Sequence, residues 1–137
     1  MYALQHKMIE TELVDIVGQQ HVVTSEADRT IYGVDYFWLP RMLVDRHQTP
    51  PLPDFVVLPG TGEELSAILK LANGHQIPVI PWGGGSGSQG GIIPVYGGIT
   101  VDLKRLNRLI EIDQQSYTVT AQAGIGGYEL ESRLIEQ

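Results

Sequence analysis

The chain has 137 residues, enough to bury the core of one domain, and carries 16 acidic against 9 basic residues for a net charge of −7. That balance, with the basic residues scattered, argues against a nucleic-acid or anionic-membrane surface, which needs clustered Lys and Arg. The absence of cysteine excludes disulfides, thiolate metal sites and a catalytic thiol. The N-terminus lacks the pattern of a signal peptide and no run reaches the roughly 20 apolar residues of a membrane helix, so a cytoplasmic protein is expected.

Residues 5–17 read as an amphipathic helix, with Ile9, Leu13, Ile16 and Val17 on one stripe and Gly18 placed to end it. A short helix is expected near Ser25. From Tyr32 to Pro53 the segment reads as irregular, its later part extended by Pro50, Pro51 and Pro53. Phe55 opens a short apolar strand, and Thr61 with Glu64 forms a T-x-x-E capping box for a helix whose apolar stripe is Leu65, Ile68, Leu69 and Ala72. Residues 77–81 make a second apolar strand. Strand, capped helix and strand compose a βαβ unit with parallel strands. Further strands are expected at 99–103, 109–113 and 117–124, the last two as a hairpin, and a helix over 128–137. The expected class is α+β: a parallel βαβ unit followed by the start of a second, mixed or antiparallel sheet. The expected division is an N-terminal helical and extended segment over 1–53 and a second region over 54–137, truncated at its C-terminus.

Between the second and third strands lies PWGGGSGSQGG, residues 81–91, in which six of eleven residues are glycine. Fixing so much glycine costs conformational entropy, and a tight turn needs only one or two. The other use of bare backbone is to bring N–H groups against a large anion. Gly85, Gly87 and Gly90 match G-x-G-x-x-G, but that motif requires a helix opening on the loop, and Gly91, Pro94, Gly97 and Gly98 prevent one. A phosphate loop of the GK[ST] kind needs a lysine, and none lies between Pro81 and Ile99. The remaining reading is a concave nest of N–H groups, with Ser86 and Ser88 as hydroxyl donors, suited to a diphosphate; a flexible connector is the ordinary alternative.

The ordered series YGVD (32–35), DFVVLP (54–59), the PxGGGS loop, VDLKRLN (101–107) and TVTAQAG (118–124) resembles the FAD-binding domain of the vanillyl-alcohol oxidase (PCMH) type. The similarity is nearest to glycolate oxidase and D-lactate dehydrogenase subunits and to alkyldihydroxyacetonephosphate synthase, and spans about residues 25–137. The resemblance implies that Gly83, Gly84, Gly85, Ser86, Gly87 and Ser88 embrace the FAD diphosphate and that Gly124 and Gly126 pass near the cofactor. Many members carry arginine where Trp82 stands, so an aromatic wall is expected in place of a charge. Members that bond flavin covalently through this loop do so with a histidine; residues 81–91 hold none, so dissociable FAD is implied. It implies a parent that oxidises a small 2-hydroxy acid. The alternatives are a synthase-like flavoenzyme and a non-catalytic phosphate-ligand module. Catalytic residues and the substrate cap are expected downstream of residue 137, leaving this portion inactive alone.

The other candidates have plainer readings. His6, His21, His47 and His75 share no ligand spacing, so no metal site is expected. Lys104, Arg105 and Arg108 read as a solvated face. Tyr32, Asp35 and Tyr36 read as a packed aromatic corner, and the surroundings of Ser86 do not fit a nucleophile elbow. The strands from Ile99 to Ala123 are expected to leave an exposed edge through which copies self-associate, with Ile110, Ile112, Val119 and Ala121 as the apolar contact.

Overall fold

The computed structural model describes the backbone of residues 2–136 and the side chains of residues 4–136. Helix α1 spans Tyr2–Val17 and buries Ile9, Leu13 and Val17, the stripe set by their spacing. It stops at Gly18, whose φ of 87° a side chain would resist and whose N–H caps the Val14 carbonyl at 2.8 Å. A short 3-10 turn, Gln19–His21, leads into β1, Val22–Val23. Helix α2 follows at Glu26–Ile31.

The stretch expected to be irregular contains a further helix, α3, at Trp38–Asp45. Pro40 does not prevent it, because it sits in the first turn, where a helical N–H has no partner to lose. The chain then runs extended through the later prolines to β2, Phe55–Val57. Helix α4, Gly62–Gly74, starts on the expected cap: Thr61 Oγ1 accepts from Glu64 N at 3.1 Å. The reciprocal bond goes one residue further back, with Gly60 N donating to Glu64 Oε2 at 2.7 Å.

Strand β3, Val79–Trp82, is parallel to β2 but does not touch it. Strand β4, Ile99–Asp102, lies between them, pairing Phe55 with Ile99 on one side and Val79 with Ile99 on the other, both in parallel. The sheet order is β1-β2-β4-β3, with β1 antiparallel to β2 at one edge. The βαβ unit is therefore present but open, with a later strand in its middle. Entry to that slot depends on Gly97 and Gly98, at φ 68° and 88°. A Cβ at Gly98 would clash with the Pro78 carbonyl oxygen. Asp54 holds the entry from the other side: its N–H donates to Gly98 O at 2.8 Å and its Oδ2 accepts from Gly98 N at 2.7 Å.

Alternation along β4 divides the interior in two. Ile99 and Val101 join Phe55 and Val57 under α1 and α4, in one cluster with Ile9, Leu13, Val17, Val22, Ile68 and Ala72. Residues on both sides of position 53 thus share this core. On the opposite face Val56, Tyr32 and Trp82 form a second cluster, beside which Thr100 and Asp102 are fully buried. Tyr32 and Trp82 meet edge to face, 4.9 Å between ring centroids. Tyr32 and Asp35 are buried as a packed corner requires, but Tyr36 is not part of it: its ring is exposed, with the Arg41 guanidinium over it.

Beyond β4 the hairpin forms as expected, β5 at Leu109–Asp113 pairing antiparallel with β6 at Thr118–Ala121 across a turn held by Asp113 Oδ1. It is a separate two-stranded sheet. The expected free edge running from Ile99 is thus corrected: β4 is central, hydrogen-bonded on both sides, and of the strands from Ile99 to Ala123 only β5 and β6 present outer edges. Ile110 is 62% exposed there. Helix α5 covers Gly127–Ile135; Gln137, the expected end of the last helix, lies outside the described residues.

Two measurements test this packing. Leu13→Ala removes a fully buried side chain and is expected to lower the unfolding free energy by about 2–5 kcal/mol, while Leu4→Ala, at a position 79% exposed, should change it by less than about 0.5 kcal/mol. Equal effects in denaturant titrations would contradict the assignment of α1 to the core. The second concerns Tyr32, whose phenol is held above the ordinary tyrosine range by burial first and by its hydrogen bond to Asp102 and that carboxylate's charge second. A folded-state value raised above the unfolded one gives stability that is complete below about pH 10 and is lost as pH rises past it. The stability advantage of the wild type over Tyr32→Phe should therefore shrink above about pH 10. Parallel pH profiles would disprove the buried neutral phenol.

Candidate functional site

The C-terminal ends of parallel strands are where open α/β sheets receive ligands. Here β3 and β4 deliver two segments to that end, residues 83–91 after β3 and Leu103–Lys104 after β4. The turn after β6 and the start of α5 come up opposite them. Together they enclose a cleft of about 570 Å³ lined by Gly83, Gly84, Ser86, Lys104, residues 123–127 and Glu129.

The cleft is built from backbone. The α5 N-cap residue, Gly126, has no side-chain capping bond, and with Gly127 it brings the uncapped, positive end of the helix dipole to the cleft lining. Across from them stand Gly83 and Gly84. A Cβ at Gly83, Gly84, Gly126 or Gly127 would meet nothing of the chain within 4 Å, and none of the four has a positive φ. No local strain or packing demands glycine at these positions. Gly62, Gly74 and Gly91 are equally open, but they do not converge. Four unexplained glycines on two walls of one cleft, at a helix N-terminus, fit a ligand that is anionic and lies against the main chain.

The neighbouring loop positions have a different cause. Gly85 has φ 63°, and a Cβ there would collide with the Trp82 ring. Trp82 itself is 5% exposed and lies beneath the loop, in the cluster with Tyr32, rather than among the cleft-lining residues. Gly87 rests on the segment after α2: its carbonyl accepts from Tyr36 N at 2.8 Å, and its Cβ would stand 3.4 Å from Asp35 Oδ2. Asp35 is 3% exposed, accepts from Phe37 N through Oδ1, and leaves Oδ2 without a hydrogen-bond partner. The Ser88 hydroxyl accepts from Gln89 Nε2 at 3.4 Å. Gly124 lines the cleft, yet its lack of a side chain has a packing reason, since a Cβ would overlap the Leu103 carbonyl. The structure thus brings Gly83, Gly84, Ser86, Gly124 and Gly126 to one cleft, and places Trp82, Gly85, Gly87 and Ser88 in the loop's support and outer turn.

Lys104 is the cleft residue that the sequence reading assigned to a solvated face. Its Nζ lies 2.9 Å from Asp102 Oδ2, and Tyr32 donates its hydroxyl to the same oxygen at 2.9 Å. Asp102 Oδ1 accepts from Lys104 N at 3.0 Å. The signal that could have found it is V-D-L-K itself: an aspartate ending an apolar strand is buried there only with a partner, and a lysine two residues on can supply one. Among the described residues no group of three or more His, Asp or Glu is placed to hold a metal, and no helix is long and apolar enough to cross a membrane.

A model of the FAD binding domain family matches residues 53–137. Glycolate oxidase subunit GlcD of Bacillus subtilis is 30% identical over 119 residues, 87% of this chain and 23% of its own length. The probable mitochondrial D-lactate dehydrogenase of Danio rerio is 34% identical over 119 residues, 87% of this chain and 22% of its own. A solved alkyldihydroxyacetonephosphate synthase superposes with a TM-score of 0.87 at 28% identity, covering 96% of this chain and 25% of that one. The chain therefore spans about a quarter of the length of these relatives. The matched segment contains the glycine loop, Lys104 and both walls of the cleft. By that match and by the backbone-lined cleft within it, the chain belongs to the FAD-binding domain family, and FAD is its cofactor.

Proposed function

We propose that this chain holds the diphosphate of dissociable FAD in a flavin-dependent oxidoreductase that oxidises a small 2-hydroxy acid of the glycolate or D-lactate kind. The observation that carries the cofactor part is the convergence of Gly83 and Gly84 with Gly126 and Gly127 on one cleft, where nothing in the chain itself explains the missing side chains. Their N–H groups and the start of α5 supply neutral donors and a favourable dipole for phosphate oxygens. Ser86 adds a hydroxyl. Trp82 and Asp35 support the loop from below and keep it in one shape, which limits the entropy lost on binding. The substrate class rests on the identity to the glycolate oxidase and D-lactate dehydrogenase chains.

Bound FAD would supply a two-electron acceptor for the carbon that carries the substrate hydroxyl. This chain's residues place the cofactor and shield its diphosphate from water. With no histidine in residues 81–91, no covalent link through this loop is expected. The second reading is a synthase-like flavoenzyme, favoured by the superposition with alkyldihydroxyacetonephosphate synthase.

The full-length protein should therefore be yellow, and acid precipitation should release its flavin into the supernatant; a colourless protein indifferent to added FAD would sink the proposal. Anaerobic addition of glycolate or D-lactate should bleach the flavin, and a flavin that neither reduces would favour the synthase-like reading. Gly84→Asp should abolish FAD retention, because its carboxylate would enter the phosphate site, while leaving the melting temperature of the apoprotein near wild type. Gly124→Ala should lower that melting temperature, since its methyl meets the Leu103 carbonyl. Retained FAD in Gly84→Asp would place the diphosphate outside this cleft.

A further inference from the structure

The loop and the helix start supply only neutral donors, yet a diphosphate brings negative charge into a cleft that also contains the carboxylate of Glu129. Glu129 is paired with Arg133, one turn along α5. Lys104 is the only cationic side chain among the cleft-lining residues. Its ammonium is not loose. Asp102 Oδ2 holds it at 2.9 Å, and Asp102 is completely buried at the end of the central strand. Tyr32, packed on Trp82, fixes that carboxylate through its hydroxyl, and the Lys104 backbone N–H fixes the other oxygen.

We infer that Lys104 is the cation that binds the FAD diphosphate, and that Asp102 and Tyr32 are positioning residues that aim its ammonium into the cleft. The inference rests on the FAD reading above and extends it to a residue outside the glycine loop. One donor of the ammonium goes to Asp102 and the Tyr32 ring lies 5.7 Å away, which leaves donor capacity on a side chain that is 57% exposed and lines the cleft. A lysine presented this way acts on a phosphate oxygen as a point charge with a fixed origin. The buried aspartate costs little, because its oxygens accept from the phenol, the main chain and the ammonium itself. The arrangement also gives Trp82 a function at one remove: it does not touch the cleft but packs the ring whose hydroxyl orients Asp102.

The test is FAD affinity in the full-length protein. Lys104→Gln should weaken FAD by about ten- to a hundred-fold, the usual worth of one charge-assisted hydrogen bond. Lys104→Arg should recover most of that loss, and the melting temperatures of the two apoproteins report separately any damage from losing the pair with Asp102. Wild-type affinity in Lys104→Gln would overturn the inference and leave the FAD reading intact; a wild type that binds no FAD would overturn both. A second measurement needs no variant. Acetylation of Lys104 in the wild type, followed by peptide mass mapping, should be suppressed by saturating FAD or ADP and not by adenosine, which lacks the diphosphate. Unchanged labelling under saturating FAD would equally overturn it.

Discussion

The cleft depends on one placement, the insertion of β4 between β2 and β3. Because β4 is central, its residues are all buried, and Asp102 at its end is buried with them. A carboxylate in that position must have its oxygens occupied, and the three donors that occupy them come from Tyr32 and from Lys104. The same insertion brings the exit of β4 beside the exit of β3, so the glycine loop and Lys104 share one end of the sheet. The cost of the insertion is borne at Gly97 and Gly98, where a side chain would run into the Asp54 carboxylate and the Pro78 carbonyl respectively.

The glycines of the loop divide by cause. Gly85 gives way to the Trp82 ring and Gly90, at φ 76°, to Phe37, so these two serve the chain's own packing, while Gly87 lies over Asp35 at ordinary contact distance. Gly83 and Gly84 serve no internal need, and the same holds for Gly126 and Gly127 on the facing wall. A loop that owed all its glycines to turns would show positive φ or steric conflict throughout. The mixture points to a rigid lower layer carrying a bare upper surface. Rigidity matters because an N–H nest already in shape loses less entropy when an anion enters it.

Much of this was legible in the sequence. The stripe of α1, the Thr61 cap of α4 and the hairpin of β5 and β6 are local patterns, decided by residues within a few positions of one another, and each forms as read. The glycine loop was legible because its composition is extreme. Helix α3 was hidden because Pro40 reads as a breaker unless its place in the first turn is known. The order of strands was hidden because nothing in β4 states which neighbours it will pair with; that is settled by the glycine turn before it and by apolar faces on both sides. Lys104 was hidden for the same reason: its role depends on Tyr32, some seventy positions away in sequence, and on a burial of Asp102 that only the sheet order produces. Trp82 read as a wall of the site because it borders the loop, whereas strand alternation turns it inward.

On the proposed reading the FAD diphosphate lies between the two glycine walls, against Gly83 and Gly84 on one side and the start of α5 on the other. A crystal structure of the full-length protein with FAD measures this most directly. Phosphate oxygens should lie within hydrogen-bond distance of main-chain N–H groups from both walls, with the Lys104 ammonium on one of them. Density that places the diphosphate on the outer turn at Gly87 and Ser88, or away from α5 altogether, would contradict it.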